Sequence, residues 1–335
     1  MKPRLLVLEL WGLGDLVIAT PFLRAAAEKF AVTLLAKPFA EELQPRLWPE
    51  VRVRPFNAPW TAFRDKYHFW HWPWRELMQL RQWLVAEKFD CAVSARGLSV
   101  RWDPRDHLVL KFSGARERLG FSRLKSHLYL TECLAWPDPL AHRSEFWRVA
   151  GRALGLAVPA RTEIVPPARA TQSMALVHSG ARLPARVWPL ENFQRIAARL
   201  REKNVSVQIA CDPDQLAWWQ NQGENAACPR SVPELLAHID RAGIFIGNCS
   251  GPGHLAAICG VPTFTIYGPS MHEWFAPLHP AAEIFEGRAC PYKPCSDYCR
   301  YSRPFCLGDV NAGEVWTRVE QFAEKHLTHG QTVAA

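Results

Sequence analysis

The chain has 335 residues, 48% of them hydrophobic, which fits a globular protein of two domains. No segment reaches the ~18–20 uninterrupted apolar residues of a membrane span, and the short apolar run near the N-terminus lacks the pattern of a signal peptide; we therefore expect a cytoplasmic protein. The net charge of +8 fits nucleic acid, an anionic membrane surface, a phosphorylated substrate, or an ordinary solvated basic surface. Because no Lys/Arg block is present, nucleic acid is disfavoured.

In the first half, strands and helices alternate. Strands are predicted at 4–9, 32–36 and 91–95, and helices at 16–30, 74–88, 106–112 and 140–154. The intervening region is rich in Trp and is suited to sugar faces, to lipid or simply to a core. This alternation indicates a parallel sheet with both faces covered.

A Pro-containing segment, 155–172, interrupts the pattern and reads as a linker. The alternation then restarts, with strands predicted at 174–178, 205–211, 243–247 and 263–267, and helices at 190–203, 232–238, 253–259 and 312–326. The sequence thus predicts an α/β fold with a first domain over 1–160 and a second over 170–310. A ligand cleft is expected at the carboxyl ends of the strands.

Three turns carry candidate chemistry, and the first joins the first strand to the first helix. Gly12-Leu13-Gly14-Asp15 allows close backbone approach at a helix start, but it lacks the third glycine of a dinucleotide fingerprint. Asp15 is therefore either a helix cap or, at the mouth of a cleft, a general base for a hydroxyl acceptor.

The second turn follows the first strand of the second domain. It reads His178-Ser179-Gly180-Ala181-Arg182 and continues to Arg186-Val187-Trp188-Pro189. Small residues with two arginines suit a phosphate group. A plain basic loop before a helix explains the same residues.

The third turn is Asn248-Cys249-Ser250-Gly251-Pro252-Gly253-His254, between a strand and a helix. Ser250 and Pro252 are typical of a helix start, where free amides would face a diphosphate. A further turn at Gly268 ends the next strand. Two such turns in one domain favour a nucleotide site.

Together these segments resemble glycosyltransferase family 9, the lipopolysaccharide heptosyltransferases. The resemblance lies in Gly14-Asp15 followed by Thr20-Pro21, in His178-Ser179-Gly180 with Arg186-Val187-Trp188-Pro189, and in Ser250–Ala256 with Pro262-Thr263 and Gly268-Pro269. Arg186 stands where lysine is usual in that family. The match follows the family order along nearly the whole chain.

The resemblance implies the GT-B architecture of two facing Rossmann-like domains and an inverting transfer of heptose from ADP-heptose to a lipopolysaccharide core. It makes Asp15 the catalytic base and implies no cofactor for catalysis. It assigns Gly14, Arg96 and Arg101 to the acceptor. It assigns the nucleotide-sugar donor to His178, Ser179, Gly180, Arg182, Arg186, Asn248, Ser250, Gly251, Pro252, Gly253, His254 and Gly268. A C-terminal helix within 311–328 is implied to return to the first domain.

One departure concerns the donor sugar. The family usually has Asp before the Ser-Gly of the third turn, and this chain has Cys249. Two alternatives follow: a nucleotide-sugar-binding protein with altered or lost transfer, and an epimerase-like relative. The expected partners are an ADP-sugar and an anionic lipopolysaccharide-like acceptor, with peripheral contact at the inner membrane face.

Four of the ten cysteines cluster in one Pro- and Tyr-containing loop: Cys290, Cys295, Cys299 and Cys306. Four thiolates within this span could hold Zn or Fe in a structural site, although the paired spacing of common zinc modules is missing. Free thiols and disulfides are the alternatives. Relatives that glycosylate autotransporters hold iron in a four-Cys finger. We expect a structural role, away from sugar transfer.

Overall fold

The computed structural model describes residues 2–62, 68–96, 105–122, 125–170, 172–295 and 299–327. The chain divides into two compact units, Met1–Glu163 and Ile164–Ala335. The division falls inside the segment 155–172, whose Pro content and lack of helical period mark it as a linker.

The first unit is built on a parallel six-stranded sheet of order β3-β2-β1-β4-β5-β6. Its central strands are almost wholly buried because helices cover both faces, which explains their continuous apolar runs. The strands are β1 (Arg4–Glu9), β2 (Ala31–Ala36), β3 (Arg52–Pro55), β4 (Cys91–Ser94), β5 (Glu117–Gly120) and β6 (Glu132–Cys133).

The helices of this unit are α1 (Leu13–Ile18), α2 (Thr20–Lys29), α3 (Phe39–Leu47), α4 (Trp74–Glu87), α5 (Arg105–Phe112) and α6 (Arg143–Ala153). The single helix predicted at 16–30 is wrong in one respect: it is broken at Ala19, and Pro21 lies in the first turn of α2. α1 also begins three residues earlier than predicted, at Leu13, and so includes Asp15.

The second unit contains a parallel five-stranded sheet of order β11-β10-β9-β7-β8. The strands are β7 (Met174–His178), β8 (Ser206–Ala210), β9 (Ala242–Asn248), β10 (Thr263–Tyr267) and β11 (Ala282–Glu286). The helices are α7 (Leu190–Glu202), α8 (Leu216–Asn221), α9 (Val232–Arg241), α10 (Gly251–Ile258), α11 (His272–Phe275), α12 (Phe305–Gly308) and α13 (Ala312–His326).

The last helix, α13, packs in the core of the second unit. Its apolar stripe of Val315, Val319 and Phe322 is fully buried among strands and α7 of that unit. An Asn311–Glu314 capping box fixes its start. These contacts tie the apolar stripe to the second unit. The return of this helix to the first domain, implied by the family resemblance, stays a prediction.

Each sheet has a point where the chain reverses its direction of strand addition. In the first sheet this point lies between β1 and β4, and in the second between β7 and β9. The loops that follow the two strands at such a point run to opposite sides of the sheet. The crevice between these loops is the usual ligand site of parallel sheets. Of the helices that the structure describes, none is long and apolar enough to cross a membrane.

Candidate functional site

In the second unit, the loops after β7 and β9 are joined by one side chain. Asn248 is fully buried: its amide nitrogen donates to Ser179 O at 2.7 Å, and its oxygen accepts from the Trp188 N–H at 3.0 Å. Both ends of the amide are therefore engaged by backbone. Asn248, predicted as a donor ligand, holds the two loops in register.

His178 and Ser179 are likewise anchors of this frame. Burial lowers the pKa of His178 to about 4, so the ring is neutral at pH 7, and its Nδ1 accepts from the Gly180 N–H at 3.2 Å. The Ser179 hydroxyl donates to Gln215 at 2.8 Å and accepts from Trp219 Nε1 at 3.0 Å. Neither side chain offers a positive charge to a phosphate.

Two glycines of the predicted site are required by close packing. A Cβ at Gly180 would lie 2.4 Å from the Asp212 carboxyl carbon, and one at Gly268 would lie 2.3 Å from Leu307. Arg182 is exposed and lines an open cavity of about 460 Å³ beside Asp212. These residues shape the loops around the carboxyl ends of β7 and β10.

The start of α10 presents donors that are not used within the described structure. Ser250 occupies the N-cap position, yet its side chain makes no capping bond, and its hydroxyl is buried without a hydrogen-bond partner among the described residues. The amides of Gly251 and Gly253 lie in the first turn, which has no intrahelical acceptors. Pro252 lies between them and His254 is buried one turn in. This end of the helix favours an anion.

Arg186 follows β7 in a short 3-10 turn, Pro184–Arg186. Its Nε is buried and, among the described residues, has no hydrogen-bond partner. A buried guanidinium nitrogen left open is costly unless a ligand fills it. The position matches the basic residue that the sequence predicts for a diphosphate.

Cys249 lies among polar and cationic groups. Burial raises the pKa of its thiol, and the positive charges of Arg186 and Lys293 oppose that rise. Lys293, from the Cys-rich loop, forms an ion pair with Glu286. Lys293 was not predicted from the sequence, because its approach to Cys249 depends on the path of a long loop.

The Cys-rich loop is beside the predicted donor site. The Cys295 N–H donates to Pro269 O at 3.0 Å, next to Gly268, and the Gly287 N–H donates to Tyr267 O at 2.7 Å. Burial and the neighbouring thiols raise the pKa of Cys295, and Arg186 opposes that rise. The loop therefore lies beside Gly268, a residue predicted to bind the donor. The expected structural role, away from sugar transfer, stays a prediction.

The four clustered cysteines are close enough for their thiols to influence one another. Burial raises the pKa of Cys306 to about 11, and Cys290, Cys295 and Cys299 add to the rise. Within the part of the chain that the structure describes, no three Cys, His, Asp or Glu side chains are grouped tightly enough to hold a metal ion. The thiols as placed do not form the expected site, and metal binding stays a prediction.

In the first unit, Asp15 is held on both carboxylate oxygens. Oδ2 accepts from the Gly12 N–H at 3.2 Å, and Oδ1 accepts from Arg96 Nη1 at 3.3 Å. The Arg96 guanidinium also lies over the Trp11 ring at 3.8 Å. Asp15 thus caps the start of α1, as one of its two interpretations predicts, and it is about a quarter exposed. Its role as a general base stays a prediction.

A second carboxyl and a second arginine lie behind this pair. Glu9, the last residue of β1, accepts from the Trp11 N–H at 3.2 Å, and burial with the nearby Asp15 raises its pKa to about 8. Arg143, the first residue of α6, is buried, and its Nη1 has no hydrogen-bond partner among the described residues. Burial and Arg96 lower the pKa of Arg143 to about 9.

Asp106 completes the polar group in this unit. It is buried and accepts from Trp60 Nε1 at 2.8 Å and from Trp11 Nε1 at 3.3 Å. Sequence reasoning missed Asp106, Glu9 and Arg143. The only available signal was a polar residue at the end of an apolar strand, as at Glu9.

Two predicted acceptor residues remain to be placed. Gly14 lies on α1 beside Asp15. Arg101 lies outside the described residues. The first unit therefore brings Asp15, Gly14 and Arg96 together, and the second brings together Arg186 and the start of α10.

Comparison with known proteins begins with the sequence. Residues 150–303 match the family model described as glycosyltransferase family 9 (heptosyltransferase). Lipopolysaccharide heptosyltransferase 3 of Escherichia coli strain K12 is 25% identical over 214 residues, which cover 58% of this chain and 59% of that protein. The chain thus matches less than two thirds of the length of this curated relative.

The solved structures share the fold over the whole chain. E. coli ADP-heptose lipopolysaccharide heptosyltransferase II is 17% identical, with a TM-score of 0.70 over 97% of this chain and 99% of that one. The E. coli heptosyltransferase WaaC, solved with ADP, is 16% identical, with a TM-score of 0.70 over 95% and 99%. The predicted GT-B type of fold is confirmed. The sequence matches confirm the predicted resemblance: the chain is similar to the heptosyltransferases of glycosyltransferase family 9.

Proposed function

We propose that the chain is an inverting glycosyltransferase that moves a sugar, heptose from ADP-heptose, onto a lipopolysaccharide core-like acceptor. The observation that carries this proposal is the pair of open donors on the second sheet, Arg186 Nε and the Ser250 hydroxyl. Both are buried polar groups: Ser250 is the N-cap of α10, and Arg186 is close enough to the preceding residue, Cys249, to influence its pKa. A nucleoside diphosphate supplies the acceptor oxygens that these groups lack.

In the proposed reaction, Asp15 takes the proton of the acceptor hydroxyl while that oxygen attacks the anomeric carbon of the donor. The bond between that carbon and the diphosphate breaks, and the nucleoside diphosphate leaves with the bonding electron pair. Arg96 supports the base, because a guanidinium beside a carboxylate favours its charged form. One displacement on the face opposite the leaving group inverts the configuration.

The leaving diphosphate gains negative charge as the bond breaks. Arg186 and the amides of α10 would stabilise that charge in place, which is the main task of electrostatic preorganisation. The proposed transfer therefore needs no metal ion or other cofactor. WaaC, a fold relative, has been solved with ADP, which supports an adenine nucleotide as the leaving group.

The acceptor is proposed from charge and from the relatives' names. The net charge of +8 suits an anionic, phosphorylated glycolipid. The curated relative is a lipopolysaccharide heptosyltransferase. We place the protein in the cytoplasm, in peripheral contact with the inner face of the membrane where such an acceptor is presented.

The proposal is tested by calorimetric titration of ADP-heptose, ADP-glucose, UDP-glucose and GDP-mannose, without added divalent metal. Selective binding of an ADP-sugar is expected. Arg186→Ala should weaken it about tenfold or more, since a charged hydrogen bond is lost, whereas Arg195→Ala, an exposed arginine on α7, should leave it unchanged. Binding of no donor, or equal binding by the Arg186 variant, would contradict the proposed site.

The sugar of the donor needs a separate test, because Cys249 replaces the aspartate that is usual in the family at this position. A thiol cannot accept hydrogen bonds from sugar hydroxyls as strongly as a carboxylate does. Comparing ADP-heptose with ADP-glucose on the parent and on Cys249→Asp measures this directly. Activity that appears only in Cys249→Asp would indicate a binding protein that has lost transfer.

Metal in the Cys-rich loop is a separate proposal, with a structural role. Elemental analysis of the purified protein should then give about one Zn or Fe per chain. A folded protein without either metal would end it. Donor titration of the same sample shows whether the loop, which contacts Pro269, affects the donor site.

A further inference from the structure

Exposed large hydrophobic side chains are concentrated on one part of the first unit. Among the described residues, seven of the eleven such side chains lie on or beside α4 and α5, with exposures between 39% and 73%. We call them the apolar belt: Phe69, Trp70, Trp74, Met78, Val85, Phe112 and Leu128. Scattered single residues of this kind need no explanation, but a contiguous group marks an interaction surface.

Helix geometry and side-chain contacts hold the residues of the belt in fixed positions. Trp74, Met78 and Val85 are spaced four and seven residues apart and so share one stripe of α4. The opposite side of α4 buries Leu80 and Leu84 in the core. The outward apolar stripe of α4 is therefore not needed for packing this helix into the core.

Neighbouring segments extend the stripe. The Trp74 indole N–H donates to Phe69 O at 2.9 Å, which fastens the 3-10 turn Phe69–His71 to the start of α4. The Arg81 guanidinium lies 5.7 Å from the Phe112 ring, across the contact between α4 and α5. Leu128 lies in the 3-10 turn Ser126–Tyr129, which packs against α5.

The charges on these elements are predominantly positive at the surface. Arg75, Arg81 and Lys111 are exposed. Of the acids on α4 and α5, Asp106 is buried between two indoles, and Glu87 is held in ion pairs with Arg4 and Arg52. Glu76 remains as the exposed acid among the described residues of these helices.

Exposed Trp and Phe beside arginines are the composition of a surface that lies in a membrane interface, where the rings enter the boundary and the cations meet anionic headgroups. We propose that the apolar belt docks the first unit onto an anionic bilayer surface. This deepens the membrane contact of the proposed function, which it takes as its basis, by naming the face that makes it. Docking there would hold the unit that carries Asp15 next to a lipid-linked acceptor.

The test is co-sedimentation of the full chain with vesicles of phosphatidylethanolamine and phosphatidylglycerol, compared with phosphatidylcholine alone. The parent should bind the anionic vesicles more strongly, and added salt should weaken binding without abolishing it. Trp70→Glu and Met78→Glu should each reduce partitioning about tenfold or more, because a charge replaces an apolar side chain that enters the membrane interface in the proposed docking. Val165→Glu, at a still more exposed apolar position in the second unit, should match the parent.

Equal binding by the parent and both belt variants, or no binding by the parent, would overturn the inference. A second contrary result is that a soluble core oligosaccharide protects the belt tryptophans while the chain binds no vesicles. The belt would then be a surface that binds glycan and not lipid. Loss of a dimer in the belt variants, seen by sedimentation, would instead identify a second copy as the partner and also overturn it. Donor titration of the same proteins separates the two proposals. If the chain binds vesicles through the belt but binds no donor, the proposed function is contradicted and the docking proposal still holds.

Discussion

Asp15 lies at the start of α1, where its carboxylate accepts one hydrogen bond from Gly12 and one from Arg96. Behind it, Glu9 and Arg143 form a buried layer of two titratable groups, each of which influences the pKa of the other. At the scale of single residues, the sequence predicted Asp15 as a candidate site residue but did not predict Glu9 and Arg143. Glu9 and Arg143 are 134 positions apart in the chain, so only tertiary structure brings them together.

Replacing Asp15 by Asn tests its role as a base. Asp15→Asn should lower turnover by ~10²–10⁴ and leave donor affinity unchanged, because a general base acts mainly in the transition state. Steady-state rates and donor calorimetry on one preparation give both values. Asp138→Asn, an exposed aspartate of the same unit, serves as the control. Undiminished turnover would leave Asp15 as a helix cap only.

Glu9 should make stability depend on pH. Its pKa is about 8 in the folded protein against 4.5 ordinarily, so the folded state holds the extra proton between these values. The free energy of unfolding should therefore fall as pH rises through this window, by at most about 1.4 kcal/mol per pH unit from this group. Asp15, Arg96 and Arg143 face Glu9 and set the size of the effect.

Denaturant unfolding of the parent and Glu9→Gln between about pH 5 and pH 8 measures this contribution. The variant should lose less stability over the range, and Glu76→Gln, an exposed acid on α4, should follow the parent. Parallel curves for parent and Glu9→Gln would mean that Glu9 is ionised in the folded state throughout.

At the scale of elements, the best-predicted parts were those with strong periodicity. β7, β10 and α13 begin and end where the sequence predicts, because each is a clean apolar strand or an amphipathic helix with caps. β3 was missed, since its sequence, Arg-Val-Arg-Pro, is that of an edge strand with polar side chains outward. The break between α1 and α2 was missed because apolar spacing continues across it.

A substitution at the start of α10 should change donor affinity and leave protein stability almost unchanged. A serine at an N-cap usually contributes about 0.5–2 kcal/mol through its capping bond, but the Ser250 side chain makes none. Ser250→Ala should therefore cost little stability, below about 0.5 kcal/mol, and weaken donor binding about tenfold. Thermal unfolding and calorimetry supply the two readouts.

Ser231 is the matched control for this variant. It is the N-cap of α9, and its side chain accepts from the Glu234 N–H at 3.3 Å. Ser231→Ala should lose about 1 kcal/mol of stability with donor affinity intact. If Ser250→Ala shows the same pattern as Ser231→Ala, the hydroxyl of Ser250 acts on the helix and not on a ligand.

At the scale of the whole molecule, the chain consists of two units with separate cores. The two-domain organisation followed from the restart of strand–helix alternation after the Pro-containing segment. The roles within the donor site were less predictable: of the twelve residues assigned to it, Asn248, His178 and Ser179 are anchors whose polar atoms are engaged within the protein. Motif spacing identifies where a site lies and does not distinguish a ligand from its support.

This organisation predicts that donor binding belongs to the second unit alone. A fragment of residues 164–335 contains every residue assigned to the donor and a complete core. It should fold cooperatively and bind the ADP-sugar within about tenfold of the full chain. Circular dichroism and calorimetry check both points. A folded fragment without affinity would show that the first unit contributes to donor binding.

Asn248 and Cys249 are neighbours in the chain with opposite freedom to change. Asn248 spans two loops through both ends of its amide, so a different side chain there would separate the turn after β7 from the turn after β9. Cys249 takes no part in that bridge. Under the proposed function, a substitution at position 249 can therefore alter sugar preference and leave this bridge intact, whereas a substitution at position 248 would disturb the bridge itself.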